Sequence, residues 1–326
     1  AAPRRVSPEA YEAYLKGRQL VASEDEGAIN RALDHFERAP RLDPGYAPAY
    51  AGLAEAHVSL VERNYVRPAE AYLKAKTAIA EALRLDGGLA EAHALLGVVR
   101  TFYDRDWPGA DSEFRRALQL NPNHAKAHLW YGEYLRAAER KEEAIAEMRR
   151  AQSLDPMSLK AHMAAGDLLF NLKRYDEAMA EYRRALAVAP GHALAQKGLG
   201  HCYFQKGMSA EAENEYKKYK ELTGTPGAIN HPAGLKRWAR NEDTRSIIYA
   251  FGKVLNQKYV RPTHLARIYL DLGERDEAFY WLERAYQERD SRLFFLKSDS
   301  GWQTVSHDPR YKDIIERLGP VSFSSR

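Results

Sequence analysis

The chain has 326 residues, with 49 Lys and Arg against 45 Asp and Glu, for a formal net charge of +4. So balanced a charge argues against a nucleic-acid binder or a membrane-surface protein by field strength, and 45% hydrophobic with 29% charged residues excludes a disordered chain. One cysteine, Cys202, excludes an internal disulfide framework and a cysteine-built zinc site. No apolar stretch approaches the roughly 20 residues that span a bilayer. No signal peptide is visible, and an opening at Ala1 rather than Met reads as a processed or excised piece.

Alanine is unevenly spread: 43 of 50 precede Glu213, and small residues at that density predict closely packed helices. In chain order, the first pair has an indistinct first helix near Tyr11 to Leu20. Its second helix is clear, with Ala32, Phe36 and Ala39, and ends at Pro44. The second pair, Ala47 to Leu89, exceeds a 34-residue unit by nine residues, and the excess lies around Val58 to Pro68. The third carries His93, Leu96, Gly97 and Arg100, then Ala110, Phe114, Ala117 and Pro122. The fourth carries His128, Tyr131, Gly132 and Leu135, then Ala144, Met148, Ala151 and Pro156. The fifth has His162, Ala165, Gly166 and Leu169, then Ala178, Tyr182, Ala185 and Pro190, and the sixth Gln196, Leu199, Gly200 and Tyr203, then Ala212 and Tyr216. After Glu221, the stretch Thr223 to Gly227 breaks the register. Two looser pairs follow, near 232–258 and 262–288, the latter with Leu265, Tyr269, Ala278, Leu282 and Ala285. A loop from Asp290 to Ser306 and a terminal helix over His307 to Leu318 complete the chain.

The spacings have physical meaning. First-helix positions i, i+3, i+4 and i+7 form one face. A Gly or Ala at the third of them, opposite a second helix with alanines flanking one bulky residue, lets two helix axes approach. Proline ends the second helix and sets the entry of the next pair. Each hairpin cannot bury its apolar face alone, so neighbours stack into a continuous core.

The 34-residue recurrence of Asp111–Pro122, Ile145–Pro156 and Met179–Pro190 resembles the tetratricopeptide repeat. The resemblance implies an all-α fold, a right-handed superhelical solenoid of antiparallel helix pairs. Residues 1–222 then form a regular array of about six repeats with a long insertion in the second. Residues 223–326 form degenerate, tetratricopeptide-like pairs with a C-terminal capping helix. The runs Tyr11 to Arg18, Phe102 to Trp107 and His307 to Asp313 resemble one bacterial subgroup, in which such an array follows a winged-helix DNA-binding domain, a Ser/Thr kinase or a nucleotide cyclase. None of those effector domains is in this sequence. Where the subgroup has a second Asp-Pro-Arg-Phe-like run, this chain has Asp299 to Trp302. The resemblance implies a cytoplasmic setting, with a periplasmic one as the alternative.

Catalytic signatures are lacking: there is no GxGxxG, phosphate-binding loop, HExxH or GxSxG, so the reading is a non-enzyme without cofactor or metal. His93, His128 and His162 share one core position, while His124 and His192 precede a first helix, a register that favours structural roles. His201 and Cys202 are adjacent and point about 100° apart on a helix, which argues against a nucleophilic pair. The basic pairs Arg115-Arg116, Arg149-Arg150, Arg183-Arg184 and Lys217-Lys218 follow Glu113, Glu147, Glu181 and Glu215, at intrahelical pairing distance. Solvated pairing is therefore favoured over direct nucleic-acid binding.

In the tetratricopeptide fold the inner surface is lined by the first helices. By register these positions hold Val98, Thr101 and Phe102; Lys126, Leu129, Glu133 and Arg136; Lys160, Met163, Asp167, Phe170 and Asn171; and Lys197, His201, Phe204 and Gln205. Rings at Phe102, Phe170 and Phe204 beside Lys126, Lys160 and Lys197 suit an extended peptide, with the lysines taking a carboxylate. The expected function is a scaffold that binds a protein or peptide partner in this groove, as the regulatory or sensor part of a larger signalling protein. Two alternatives stand. A small-molecule sensor would close a pocket between the long second repeat and Phe294, Phe295 and Trp302. A self-association array would form a homo-oligomer through Tyr11, Tyr14, Phe294 and Trp302.

Overall fold

The computed structural model describes residues 6–23, 25–223 and 259–319. The register break at 224–227 and the pair expected at 232–258 lie outside the described residues. Short polar side chains open many of the helices. Ser7, Asp25, Asp106 and Ser158 each accept a hydrogen bond from the backbone N–H three residues on, and His124 and His192 do the same with Nδ1. Such caps satisfy N–H groups that a helix start leaves without partners.

Twelve helices result between residues 8 and 223. They are α1 (Pro8–Val21), α2 (Glu26–Leu42), α3 (Ala47–Glu62), α4 (Pro68–Leu85), α5 (Ala90–Val99) and α6 (Trp107–Leu120). Then come α7 (Ala125–Ala137), α8 (Lys141–Leu154), α9 (Leu159–Asn171), α10 (Tyr175–Val188), α11 (Ala193–Gln205) and α12 (Ser209–Thr223). The indistinct first helix is a full one: its buried face is Ala10, Ala13, Gly17 and Val21, small residues that weaken the apolar signal without weakening the helix. The second pair is long because α3 runs on to Glu62 before a connector reaches Pro68. A π-helical turn at Arg100–Asp104 extends α5.

Glycine sets the distance within each pair. A Cβ on Gly97 would stand 2.9 Å from the Phe114 ring, on Gly132 2.9 Å from Met148, on Gly166 2.7 Å from Tyr182 and on Gly200 2.6 Å from Tyr216. The second-helix bulky residue therefore seats directly on the first-helix backbone, in the register the spacing predicts. Successive first helices touch (α1–α3, α3–α5, α5–α7, α7–α9, α9–α11), whereas second helices make no comparable contact with one another. The first helices thus form the inner wall of a curved solenoid.

A C-terminal unit follows: α13 (Pro262–Leu272), α14 (Arg275–Gln287), a 3-10 helix (Ser291–Ser298), the one-turn α15 (Ser300–Gln303) and α16 (Pro309–Leu318). The loop expected over 290–306 is largely helical because Asp290 and Asp299 cap its turns and Leu293, Phe294, Leu296 and Trp302 are buried. Tyr311, Ile314 and Leu318 of α16 are buried on one face.

Candidate interaction surface

The inner wall carries most of its charge in pairs. Arg18 of α1 reaches Glu55 of α3 at 2.7 Å and also bonds Glu91 of α5. Lys126 of α7 bonds the same Glu55, and Lys160 of α9 reaches Glu62 at the end of α3 at 2.6 Å. Contacts from α7 and α9 back to α3 show how tightly the wall curves. Burial pushes the Glu55 carboxyl up, but Lys126 and Arg18 outweigh it and hold it at about 2. Glu91 is pushed up to about 7 by burial and then by the Glu55 carboxylate beside it. Two carboxyls, of which Glu91 is the more readily protonated, therefore face two cations. Lys126 and Lys160, expected to receive a partner's carboxylate, are engaged by the array's own glutamates. The sequence offered a signal for those acids: Glu55 and Glu62 lie seven residues apart on one face of a helix that is otherwise mostly apolar.

The groove positions divide into two groups. Val98, Thr101 and Leu129 are buried in the wall itself. Phe102 meets the ring of Phe294, with centroids 5.8 Å apart. The Arg136 guanidinium lies 3.9 Å over Phe295 and pairs with Glu133 at 3.0 Å. This stretch of the inner face is thus covered by the C-terminal unit. Further along, Met163 is half-buried, Asp167 accepts from the Tyr182 hydroxyl at 2.8 Å, and Phe170 packs beside Tyr175 and His201. Lys197 approaches the Tyr219 ring at 5.7 Å, and Asn171, Phe204 and Gln205 are exposed.

Sequence reasoning missed the docking contacts of the C-terminal unit. Trp107 packs edge-on against Phe294 at 5.3 Å and donates Nε1–H to the Leu318 carbonyl. Arg105, at positive φ just beyond the π-helical turn, donates to the Tyr286 carbonyl at 3.0 Å and stacks on that ring. Arg261 donates to the Val61 carbonyl at 2.6 Å, capping α3, and pairs with buried Asp290 at 3.1 Å. The signal was present in the run Phe102 to Trp107, four of whose residues (Phe102, Tyr103, Arg105 and Trp107) touch the C-terminal unit. A cleft of about 480 Å³ separates the connector after α3 (Tyr65, Arg67) from α13 and α14 (Trp281, Arg284) and from Tyr259. The long second repeat and the C-terminal unit do meet there, through residues other than Phe294, Phe295 and Trp302.

The histidines are part of the packing. His93, His128 and His162 each bring Nδ1 to a second-helix glutamate (Glu113 at 2.6 Å, Glu147 at 2.5 Å, Glu181 at 2.8 Å). Each places Nε2 near a carbonyl six residues back, that of Gly87, Pro122 or Pro156. For His128, burial works against the proton, but Glu147 and the Pro122 carbonyl outweigh it and favour the doubly protonated ring. Glu113 pairs with His93 and Arg100 and Glu147 with His128 in place of the basic pairs expected for them, while Glu181–Arg184 and Glu215–Lys218 form as spaced. Cys202 is buried, which with Asp167 pushes its thiol up to about 12, so it is a poor nucleophile. Among the described residues no group of three or more His, Cys, Asp and Glu is placed to hold a metal, and no helix is long and apolar enough to cross a membrane.

Comparison with known proteins agrees with this geometry. The family model for the tetratricopeptide repeat matches residues 169–225, and the model for subunit 3 of the anaphase-promoting complex, or cyclosome, matches 114–185. The Cut9–Hcn1 hetero-tetramer of that complex is similar in structure, with a TM-score of 0.54 at 17% identity over 70% of this chain and 46% of that one. YrrB, described as a tetratricopeptide protein with an unusual peptide-binding site, aligns with a TM-score of 0.43 at 23% identity, over 62% of this chain and 97% of that one. Among curated proteins, the transcriptional regulator HilA of Salmonella typhimurium is 27% identical over 132 residues, 40% of this chain. The match takes in 24% of that relative's length, so the chain spans about a quarter of the curated relatives it matches. The repeated helix pairs are tetratricopeptide repeats, in an all-α superhelical array.

Proposed function

We propose that this tetratricopeptide array is a protein-interaction scaffold whose inner face accepts a peptide or protein segment, and that it is the regulatory part of a larger bacterial signalling protein in the cytoplasm. The observation that carries the reading is the seat already in use: a six-residue stretch of the chain itself, 291–296, lies on the first-helix wall, aromatic rings down. A surface shaped to hold one short segment is suited to another. The stretch most open to an external partner includes Met163, Phe170, Asn171, Phe204 and Gln205, with Lys160 beside them on Glu62, while Asp167 and Lys197 lie in the field of Arg292 and of Arg267 and Asp299 of the C-terminal unit. Its rings and mixed charges fit side-chain recognition along an extended chain. The mechanism is recognition by a stiff wall, without bond-making chemistry. The partial likeness to a transcriptional regulator supports the signalling context.

The test uses the intact chain, immobilised as wild type and as Lys160→Ala/Phe170→Ala, to capture proteins from bacterial extract. The expected result is a protein retained by the wild type and lost by the variant, with unchanged circular dichroism melting. Equal retention by both, or none by either, refutes the groove.

A further inference from the structure

Positions 102, 136, 170 and 204 are spaced by the 34-residue repeat, so they mark the same place on four successive first helices. They hold Phe, Arg, Phe and Phe. The first two rungs of this ladder are taken, in order, by two adjacent residues of the C-terminal unit. Phe294 meets Phe102 and Trp107, and Phe295 lies under the Arg136 guanidinium. Leu293 and Leu296 on either side are buried with them. The segment enters at buried Asp290, which accepts from the N–H and hydroxyl of Thr263, and the whole unit is pinned to the array by Arg105, Trp107 and Arg261. One ring per rung, flanked by buried leucines, is how a bound peptide would sit on a repeat surface.

Resting on the scaffold function above, we propose that residues 291–296 are an internal ligand of the array, and that the partner of this seat is a protein segment carrying two adjacent aromatic residues between leucine-like residues. That partner displaces the C-terminal unit. The Phe102 and Trp107 rings select the first aromatic residue by edge-to-face packing, and Arg136 selects the second by its cation over the ring. A tethered segment competes at an effective concentration on the order of 1 mM. With a dissociation constant of about 10 µM for the internal segment itself, an external segment is therefore weakened about 100-fold until the internal ligand is released.

The probe is a fluorescein-labelled synthetic peptide with the sequence of residues 290–299, read by anisotropy against the full chain. Phe294→Ala/Phe295→Ala in the chain removes both rings from the seat and weakens the internal ligand's hold on it. The peptide is expected to bind this variant at least tenfold more tightly than the wild type, and to lose binding when both its own phenylalanines are alanine. Arg105→Ala loosens the dock without touching the seat and is expected to raise peptide affinity in the same direction. Adding Arg136→Ala to the double variant is expected to abolish the gain. Circular dichroism melting of each variant confirms that the array is folded. Equal affinity for wild type and double variant, or no binding to either, overturns the internal-ligand proposal. The wider scaffold reading is decided separately by the capture with Lys160→Ala/Phe170→Ala, which leaves this seat intact.

Discussion

Gly166→Ala tests the close approach on which the array depends. A Cβ at 166 would stand 2.7 Å from Cε1 of Tyr182, and one at Gly198 would stand 2.6 Å from Cζ of the same ring. The ring is gripped between the first helices of two successive repeats, and its hydroxyl donates to Asp167 at 2.8 Å. It cannot retreat from one glycine without meeting the other. Overpacking of this kind costs about 1–3 kcal/mol, whereas alanine for glycine inside a helix returns about 1 kcal/mol. The expected net is a loss of about 1 kcal/mol, seen as a lower midpoint in urea unfolding followed by far-ultraviolet circular dichroism. Tyr182→Leu alone empties space and costs about 2 kcal/mol or more. In the double variant the new methyl enters that space, so the cycle should show a favourable coupling of about 1 kcal/mol. Gly166→Ala that stabilises by its full helix-propensity gain, or a cycle that is additive, would refute close approach as the origin of the glycine.

Two further perturbations probe other contacts. Burial works against the His128 proton, but Glu147 and the Pro122 carbonyl outweigh it and raise the folded value above 6.5. The stabilisation is therefore complete below the unfolded value and lost as pH rises through the folded one. His128→Gln should cost about 1–2 kcal/mol in urea unfolding at pH 5.5 and less at pH 9, and an equal cost at both would contradict the charged ring. Arg261→Ala strands the Asp290 carboxylate, whose pKa burial would raise but Arg261 and Thr263 hold low, and leaves the Val61 carbonyl without its donor. The C-terminal unit should lose about 3–5 kcal/mol of stability, read as faster hydrogen exchange over 291–296 with protection across α5 to α12 unchanged. Slower or uniform exchange would contradict it.

The array was legible because its period is local. Gly97, Gly132, Gly166 and Gly200 announce their partners Phe114, Met148, Tyr182 and Tyr216 within one hairpin, and 34-residue spacing copies the rule along the chain. The first helix was blurred since Ala10, Ala13 and Gly17 pack by being small. The candidate site was legible as a set of positions and not as a set of contacts. Register places Phe102, Arg136 and Lys126 on the inner wall, but Glu55 stands 71 residues before Lys126 and Phe294 far beyond Arg136. Those pairings depend on how sharply the solenoid curves, which sums small rotations over several repeats. The π-helical turn at Arg100–Asp104 is likewise invisible to a periodicity of 3.6.

The two kinds of contact in the molecule differ in strength, and this bears on whether the C-terminal unit can leave. Within the array, second-helix side chains sit on first-helix backbone and neighbouring pairs share a continuous apolar core. The same core cluster continues into the C-terminal unit through Leu293, Phe294, Leu296 and Trp302, and three arginines, Arg105, Arg136 and Arg261, line the seam. The arginine contacts at the seam resemble an exchangeable interface, while the apolar ones beneath them resemble a core. The buried Arg261–Asp290 pair lies within the unit and adds little net stability over an apolar substitute, and what it does is aim Arg261 at the Val61 carbonyl. Release therefore needs a competing segment to cover the apolar wall again, with water taking over only the arginine contacts, while the glycine-seated array has no reason to open. The inner wall is the constant part of the molecule and its occupant the variable one.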